Sequence, residues 1–189
     1  MAAQIAILGW GSLLWDPRPD FDEHHHAWQF DGPEIKLEFS RVSQHRRGAL
    51  TLVIDREKGE ICRIAYALSK RKNPEDAICD LRSREGTTRA NLGYFFADGW
   101  PHQSRDPASL ESIRVWSKVK KFDVVVWTDL DSNFEKVCGK PFEVGAALAH
   151  VQSLDAEAKS LAAEYVWRAP AFVDTQLRRA LQVQPWFPK

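Results

Sequence analysis

The stretch that most constrains this chain is Ala6-Ile7-Leu8-Gly9-Trp10-Gly11-Ser12-Leu13-Leu14-Trp15, followed by Asp16-Pro17. Residues 3–8 read as a short, mostly buried strand ending at Gly9. Two glycines, a serine and two tryptophans then interrupt the apolar run. Glycine weakens a strand unless the backbone must bend or something must come close to it. The segment therefore predicts a first strand running into a tight turn whose backbone is open to a neighbour or a ligand.

The rest of the chain reads as mixed α+β. Residues 16–34, with their prolines, aspartates and His24-His25-His26, read as an irregular loop. Ile35–Val42, Ala49–Asp55 and Glu60–Leu68 read as strands, the last two joined in a hairpin by Arg56-Glu57-Lys58-Gly59. Asn73-Pro74-Glu75-Asp76 opens a helix: Asn73 caps it, Pro74 suits its first position, and the acids suit its positive end. Ala77, Ile78 and Leu81 form its apolar face, and Gly86 stops it after Ser83–Glu85. Ser112–Trp116 reads as a short strand and Phe122–Thr128 as a stronger one, rich in β-branched and aromatic residues. Asp129–Pro141 reads as a loop, Phe142–Leu154 and Phe172–Leu181 as helices, and the tail as extended. Residues 87–110 resist assignment.

At 189 residues the chain fits one domain, 1–189, with the part from about 160 as an appended element. Lys+Arg and Asp+Glu are both 26, so no basic excess points to nucleic acid or to a membrane surface. Cys62, Cys79 and Cys138 are odd in number, widely spaced and without metal-ligand spacing, as expected of reduced thiols in a cytoplasmic protein. No run approaches the roughly 20 apolar residues that span a bilayer. The start carries neither the positive charge nor the cleavage site of a secretory leader. The expectation is a soluble protein, monomer or homodimer, with no nucleic-acid or membrane partner.

Four blocks occur in an order that resembles a known family. They are Trp10-Gly11-Ser12-Leu13 with Trp15-Asp16-Pro17; Arg41-Val42-Ser43 with Arg47-Gly48-Ala49-Leu50-Thr51-Leu52-Val53; Leu81-Arg82-Ser83-Arg84-Glu85-Gly86; and Val124-Val125-Val126-Trp127-Thr128-Asp129 with the helix after Pro141. Together they resemble the γ-glutamylcyclotransferase-like superfamily, and are closest in wording to its ChaC-type members. The resemblance implies a small mixed β-barrel of about six strands flanked by helices. It also implies a lyase-type cyclisation that needs no cofactor and no metal. In it the α-amine of a γ-glutamyl compound attacks its own γ-carbonyl, giving 5-oxoproline and a free amine or peptide. Glutathione and other γ-glutamyl conjugates are the expected small-molecule substrates.

The residue chemistry fits that reaction. The attacking ammonium must lose a proton and the leaving nitrogen must gain one, which a single poised carboxylate can do. Glu85 is the catalytic candidate. Without the resemblance it reads as a solvated residue in a last helical turn, although a carboxylate there faces the negative end of the helix dipole. Trp10, Gly11, Ser12 and Leu13 are the substrate-binding candidates, the amides of Gly11, Ser12 and Leu13 offering hydrogen bonds to a carboxylate or a developing oxyanion. Trp10 stands where relatives carry Tyr or Phe. Tyr94 is a weaker substrate-binding candidate, because the family uses tyrosines near its substrate. In the late strand, where relatives place another, this chain has Val125 to Trp127. The alternative function is a non-catalytic small-molecule-binding or regulatory module on the same fold. His24-His25-His26 reads as an exposed polar loop, since adjacent side chains splay apart. The clusters Arg46-Arg47 and Lys118-Lys120-Lys121 read as solvated faces, with Arg46 or Arg47 available to rim an anionic pocket.

Overall fold

The computed structural model describes residues 3–98 and 101–189; Trp100, in the unassigned aromatic stretch, lies outside them. In chain order the strands are β1 (Ile5–Gly9), β2 (Glu34–Val42), β3 (Leu50–Ile54), β4 (Glu60–Arg63), β5 (Ala65–Leu68), β6 (Leu92–Phe96), β7 (His102–Gln103) and β8 (Val124–Thr128). The helices are α1 (Pro19–Asp22), α2 (Pro74–Glu85), α3 (Pro107–Lys120), α4 (Phe134–Cys138), α5 (Val144–Ser153), α6 (Ala156–Arg168) and α7 (Gln176–Gln182). The mixed α+β class read from the sequence is the class observed. The chain forms two compact units, residues 1–35 with 63–130, and 36–62 with 131–189.

The first unit is built on a five-stranded sheet in the order β5-β1-β8-β6-β7. β1 runs antiparallel to β5 and parallel to β8, with Ile7 opposite Val126, so the carboxyl ends of β1 and β8 lie side by side. β6 pairs antiparallel with β8 from Leu92↔Thr128 to Phe96↔Val124. Alternation then sorts the side chains. Ile5, Ile7, Val124, Val126 and Leu92 face one side and form a core with Ala77, Ile78 and Leu81 of α2, Phe21 of α1, and Leu13. On the other face α3 buries Leu110 and Ile113. From α3 the Trp116 ring lies 5.0 Å from Tyr66, and Arg114 lies 5.3 Å over Phe95.

α2 begins and ends where its sequence says. The Asn73 side chain accepts from Glu75 N at 3.2 Å, and Gly86 closes the helix at φ 56°, a left-handed conformation that suits glycine. β5 ends beside the start of β1, where Ser69 N donates to Ile5 O at 2.9 Å. α2 follows within a few residues, so it runs along the sheet in the direction of β1 and β8. Its last turn therefore arrives at their carboxyl ends.

Several expectations are corrected. Among the described residues the strands form two open sheets, of five and three strands, rather than one closed barrel of about six. The run Glu60–Leu68 is interrupted at Ile64 and divides between the sheets, β4 joining β2 and β5 joining β1. The outer edge of β5 is paired instead by extended chain, through Gln29 N→Tyr66 O, Tyr66 N→Gln29 O and Gly32 N→Ile64 O at 2.7, 2.8 and 3.0 Å. The turn Arg56–Gly59 exists, with Gly59 N donating to Asp55 O at 2.8 Å, but β2 lies between β3 and β4. It is thus not a hairpin loop.

Ser112–Trp116 is not a strand. It lies within α3, which Asp106 caps by accepting from Ala108 N and Ser109 N at 3.3 and 3.0 Å. The buried positions Ser109, Leu110, Ile113 and Ser117 recur at helical spacing, and that burial outweighs the β-branched residues. The loops read at 16–34 and 129–141 contain α1 and α4.

In the second unit the sheet order is β3-β2-β4, with a register shift between Glu38 and Arg41 on β2. Phe39 meets Tyr165 of α6 edge to face, with centroids 6.1 Å apart. Among the described residues no helix is long and apolar enough to cross a membrane.

Candidate functional site

Three chain ends meet in the first unit: the turn after β1, the last turn of α2 and the carboxyl end of β8. Trp10 continues the extended backbone at φ −150°, and Gly11 then reverses it at φ 59° into a single 3₁₀ turn, Gly11–Leu14. A side chain at Gly11 would make that conformation costly. The opening N–H groups of such a turn have no carbonyl within it to bond. Ser12 O, by contrast, accepts from Trp15 N and Asp16 N at 3.3 and 2.9 Å, which closes the turn.

Arg84 fastens this turn to α2. Its Nη2 donates to Ser12 O at 3.1 Å and to Asp16 O at 2.9 Å, and its side chain is only 5 % exposed. The Asp16 carboxylate, 3.6 Å away, supplies part of the counter-charge. Arg84 Nη1 lies 3.8 Å from Glu85 Oε1. The Arg84 Nε–H is shielded and meets no acceptor.

Glu85 is not a solvated residue at a helix end. It follows Ile78 and Leu81 at i+7 and i+4, so it continues the stripe that α2 lays against the sheet. Its side chain is 20 % exposed, with Oε1 out of solvent. The end of β8 is tied to the segment that follows Glu85. Asn91 Nδ2 donates to Thr87 Oγ1 at 2.9 Å, and Asp129 N donates to Asn91 O at 2.8 Å. Asp129, buried, in turn accepts from Arg105 N at 2.6 Å.

The other sequence candidates divide. Gly11 and Ser12 form the turn that Arg84 holds. Leu13 puts its side chain into the core under α2, leaving its backbone as the part that a ligand can use. Alternation sends the Trp10 indole to the face opposite α2, with Leu8, where it is buried. Trp127 is fully buried on that same face. Tyr94 packs against the core on the α2 side, but Arg89 covers its ring at 5.1 Å. Arg89 also bonds Glu75 at the start of α2, at 2.9 Å from Nη2 to Oε1. That hydrogen bond raises Arg89 above the ordinary guanidinium range and lowers Glu75. Glu75 and Glu85 are ten helical residues apart, about 15 Å along the axis. Tyr94 is therefore engaged at the far end of α2 from Glu85.

His24-His25-His26 is a partial correction. His25 is buried between Phe21 and Trp28, with ring centroids at 4.9 and 5.1 Å, while His26 is exposed. Among the described residues no group of His, Cys, Asp and Glu has the arrangement of a metal site. From the sequence, Arg84 stands beside Glu85 and Thr128 ends its strand, and neither is given a role. The only local signal for either was position, one beside the candidate acid and the other last in its strand.

The arrangement suits chemistry in which one carboxylate exchanges protons beside a cradle of backbone amides. Compared with family models, with curated proteins and with solved structures, the chain matches none.

Proposed function

We propose that this protein is a γ-glutamylcyclotransferase-like enzyme, with Glu85 as its acid and base. The observation that carries the reading is the position of Glu85. It lies on the sheet-facing stripe of α2, one residue from the arginine that grips the Gly11–Leu14 turn. A γ-glutamyl compound bound there lays its carboxylate along the Gly11–Leu13 backbone, where amide groups suit negative charge. Glu85 takes a proton from the α-ammonium, and the freed amine attacks the γ-carbonyl. The C–N bond to the leaving group then breaks as Glu85 returns the proton to the departing nitrogen. The ring nitrogen gives up its second proton, which the released amine carries away as an ammonium. The products are 5-oxoproline and a free amine or peptide, and no water is consumed.

Proton transfer by one positioned group contributes about 10²–10⁴-fold. The test is to incubate the protein with a panel of γ-glutamyl amines and peptides, glutathione included, and follow 5-oxoproline by mass spectrometry. Glu85→Gln keeps the side-chain shape and cannot shuttle the proton, so 5-oxoproline formation is expected to fall by at least that factor. Substantial turnover by the Gln variant would overturn the assignment. Thermal stabilisation of the wild type by a panel member without product would favour a binding module.

A further inference from the structure

The core stripe of β8 on the α2 side runs Val124, Val126 and then Thr128, which pairs with fully buried Leu92. Thr128 is 9 % exposed, and its hydroxyl is shielded from solvent with no hydrogen-bond partner. A buried hydroxyl without a partner costs free energy that an isosteric methyl would not. The strand ladder, built from backbone groups, does not use it. Its place suggests what it serves. It ends the β8 stripe as Glu85 ends the α2 stripe, and both stripes run toward the carboxyl ends of β1 and β8. Thr87, two residues after Glu85, is linked through Asn91 to Asp129, the residue after Thr128. Ligands of open sheets collect beyond the carboxyl ends of parallel strands.

We infer that Thr128 is a substrate-contacting residue that sets specificity for the α-amino end of a γ-glutamyl compound. This rests on the reading of Glu85 given above. A hydroxyl both accepts and donates, so Thr128 Oγ1 accepts an N–H from the α-ammonium while Glu85 removes another of its protons. The amine is thereby held with its freed lone pair toward the γ-carbonyl. The neighbouring orphan donor, Arg84 Nε–H, is of the complementary kind and suits the substrate's carboxylate.

Thr128→Val removes the hydroxyl and keeps the shape, whereas Thr128→Ser keeps the hydroxyl. On a γ-glutamyl substrate that the wild type turns over, the Val variant is expected to lose about 10- to 100-fold in kcat/KM, the range for one buried hydrogen bond to a charged group. Its melting temperature is expected to be unchanged or higher, because an unsatisfied group has gone, and the Ser variant is expected to retain most of the activity. Wild-type activity in the Val variant overturns the inference while leaving the Glu85 reading intact. A lowered melting temperature together with lost activity overturns it too, since the hydroxyl would then be structural. Should the wild type neither turn over nor be stabilised by any γ-glutamyl compound of the panel, the Glu85 reading fails, and this inference with it.

Discussion

At the residue scale, close approach and not conformation decides what Gly93 does. A Cβ added there would lie 2.0 Å from Cε2 of Trp127, its partner across the β6–β8 ladder. The indole occupies the space that a side chain would fill, which is how an aromatic residue shields a strand glycine. Gly93→Ala therefore forces Trp127 out of a fully packed position, at a cost of about 1–3 kcal/mol for such overpacking. Urea unfolding checks this, and an unchanged midpoint would show that Trp127 has room to yield. Arg84 acts in the opposite sense, adding contacts instead of excluding them. One nitrogen bonds two carbonyls of the turn after β1, so the turn's geometry depends on a residue remote in sequence. Both cases explain why single residues here are hard to judge from their neighbours along the chain.

At the scale of elements, β2 and α7 share a buried carboxyl. Glu38 is fully buried and accepts from Phe39 N at 2.7 Å and Leu177 N at 3.3 Å, with Thr175 also bonding it. Burial pushes its carboxyl above the ordinary value of 4.5, and the nearby Asp55 adds to that; the hydrogen bonds oppose the rise without cancelling it. The folded state thus holds this proton more tightly than the unfolded chain does. Its contribution to stability is whole below pH 4.5 and declines as pH rises through the folded value. Glu38→Gln has no such proton to lose. The wild type is therefore expected to lose more unfolding free energy than the Gln variant as the pH rises from 4.5 toward 7. Urea titrations across that range measure the difference, and parallel curves would refute it. The alternation of β2 does not announce this group, because a glutamate at an apolar position reads as an edge residue until α7 covers it.

At the scale of the whole molecule, the chain passes between its two units three times, at residues 35/36, 62/63 and 130/131. Neither unit is one continuous stretch. The sheet β3-β2-β4 comes from the first half of the chain, and the helices of its unit come from the last third. A chain ending at Leu130 would keep the sheet without Tyr165, which packs on Phe39, and without the Leu177 amide that meets Glu38. Hydrogen exchange is expected to show residues 36–62 unprotected in that chain, and full protection there would mean the three strands stand alone. The sequence by itself determined the local features: the strand ending at Gly9, α2 with its Asn73 cap and Gly86 stop, and β8. In each, capping, breaking and periodicity act within a few residues and agree. It misread part of α3 as a strand and Glu60–Leu68 as one strand, and the resemblance implied a closed barrel where the sheets are open, because those features depend on which distant surface buries each segment. The same holds for the candidate site. Glu85 and the Trp10–Leu13 turn were legible as residues, but only the tertiary structure decided that Tyr94 is held toward the far end of α2. It likewise decided that Arg84 grips the turn after β1 and that the Thr128 hydroxyl is buried without a partner, since long-range hydrogen bonds and burial have no signature in local sequence.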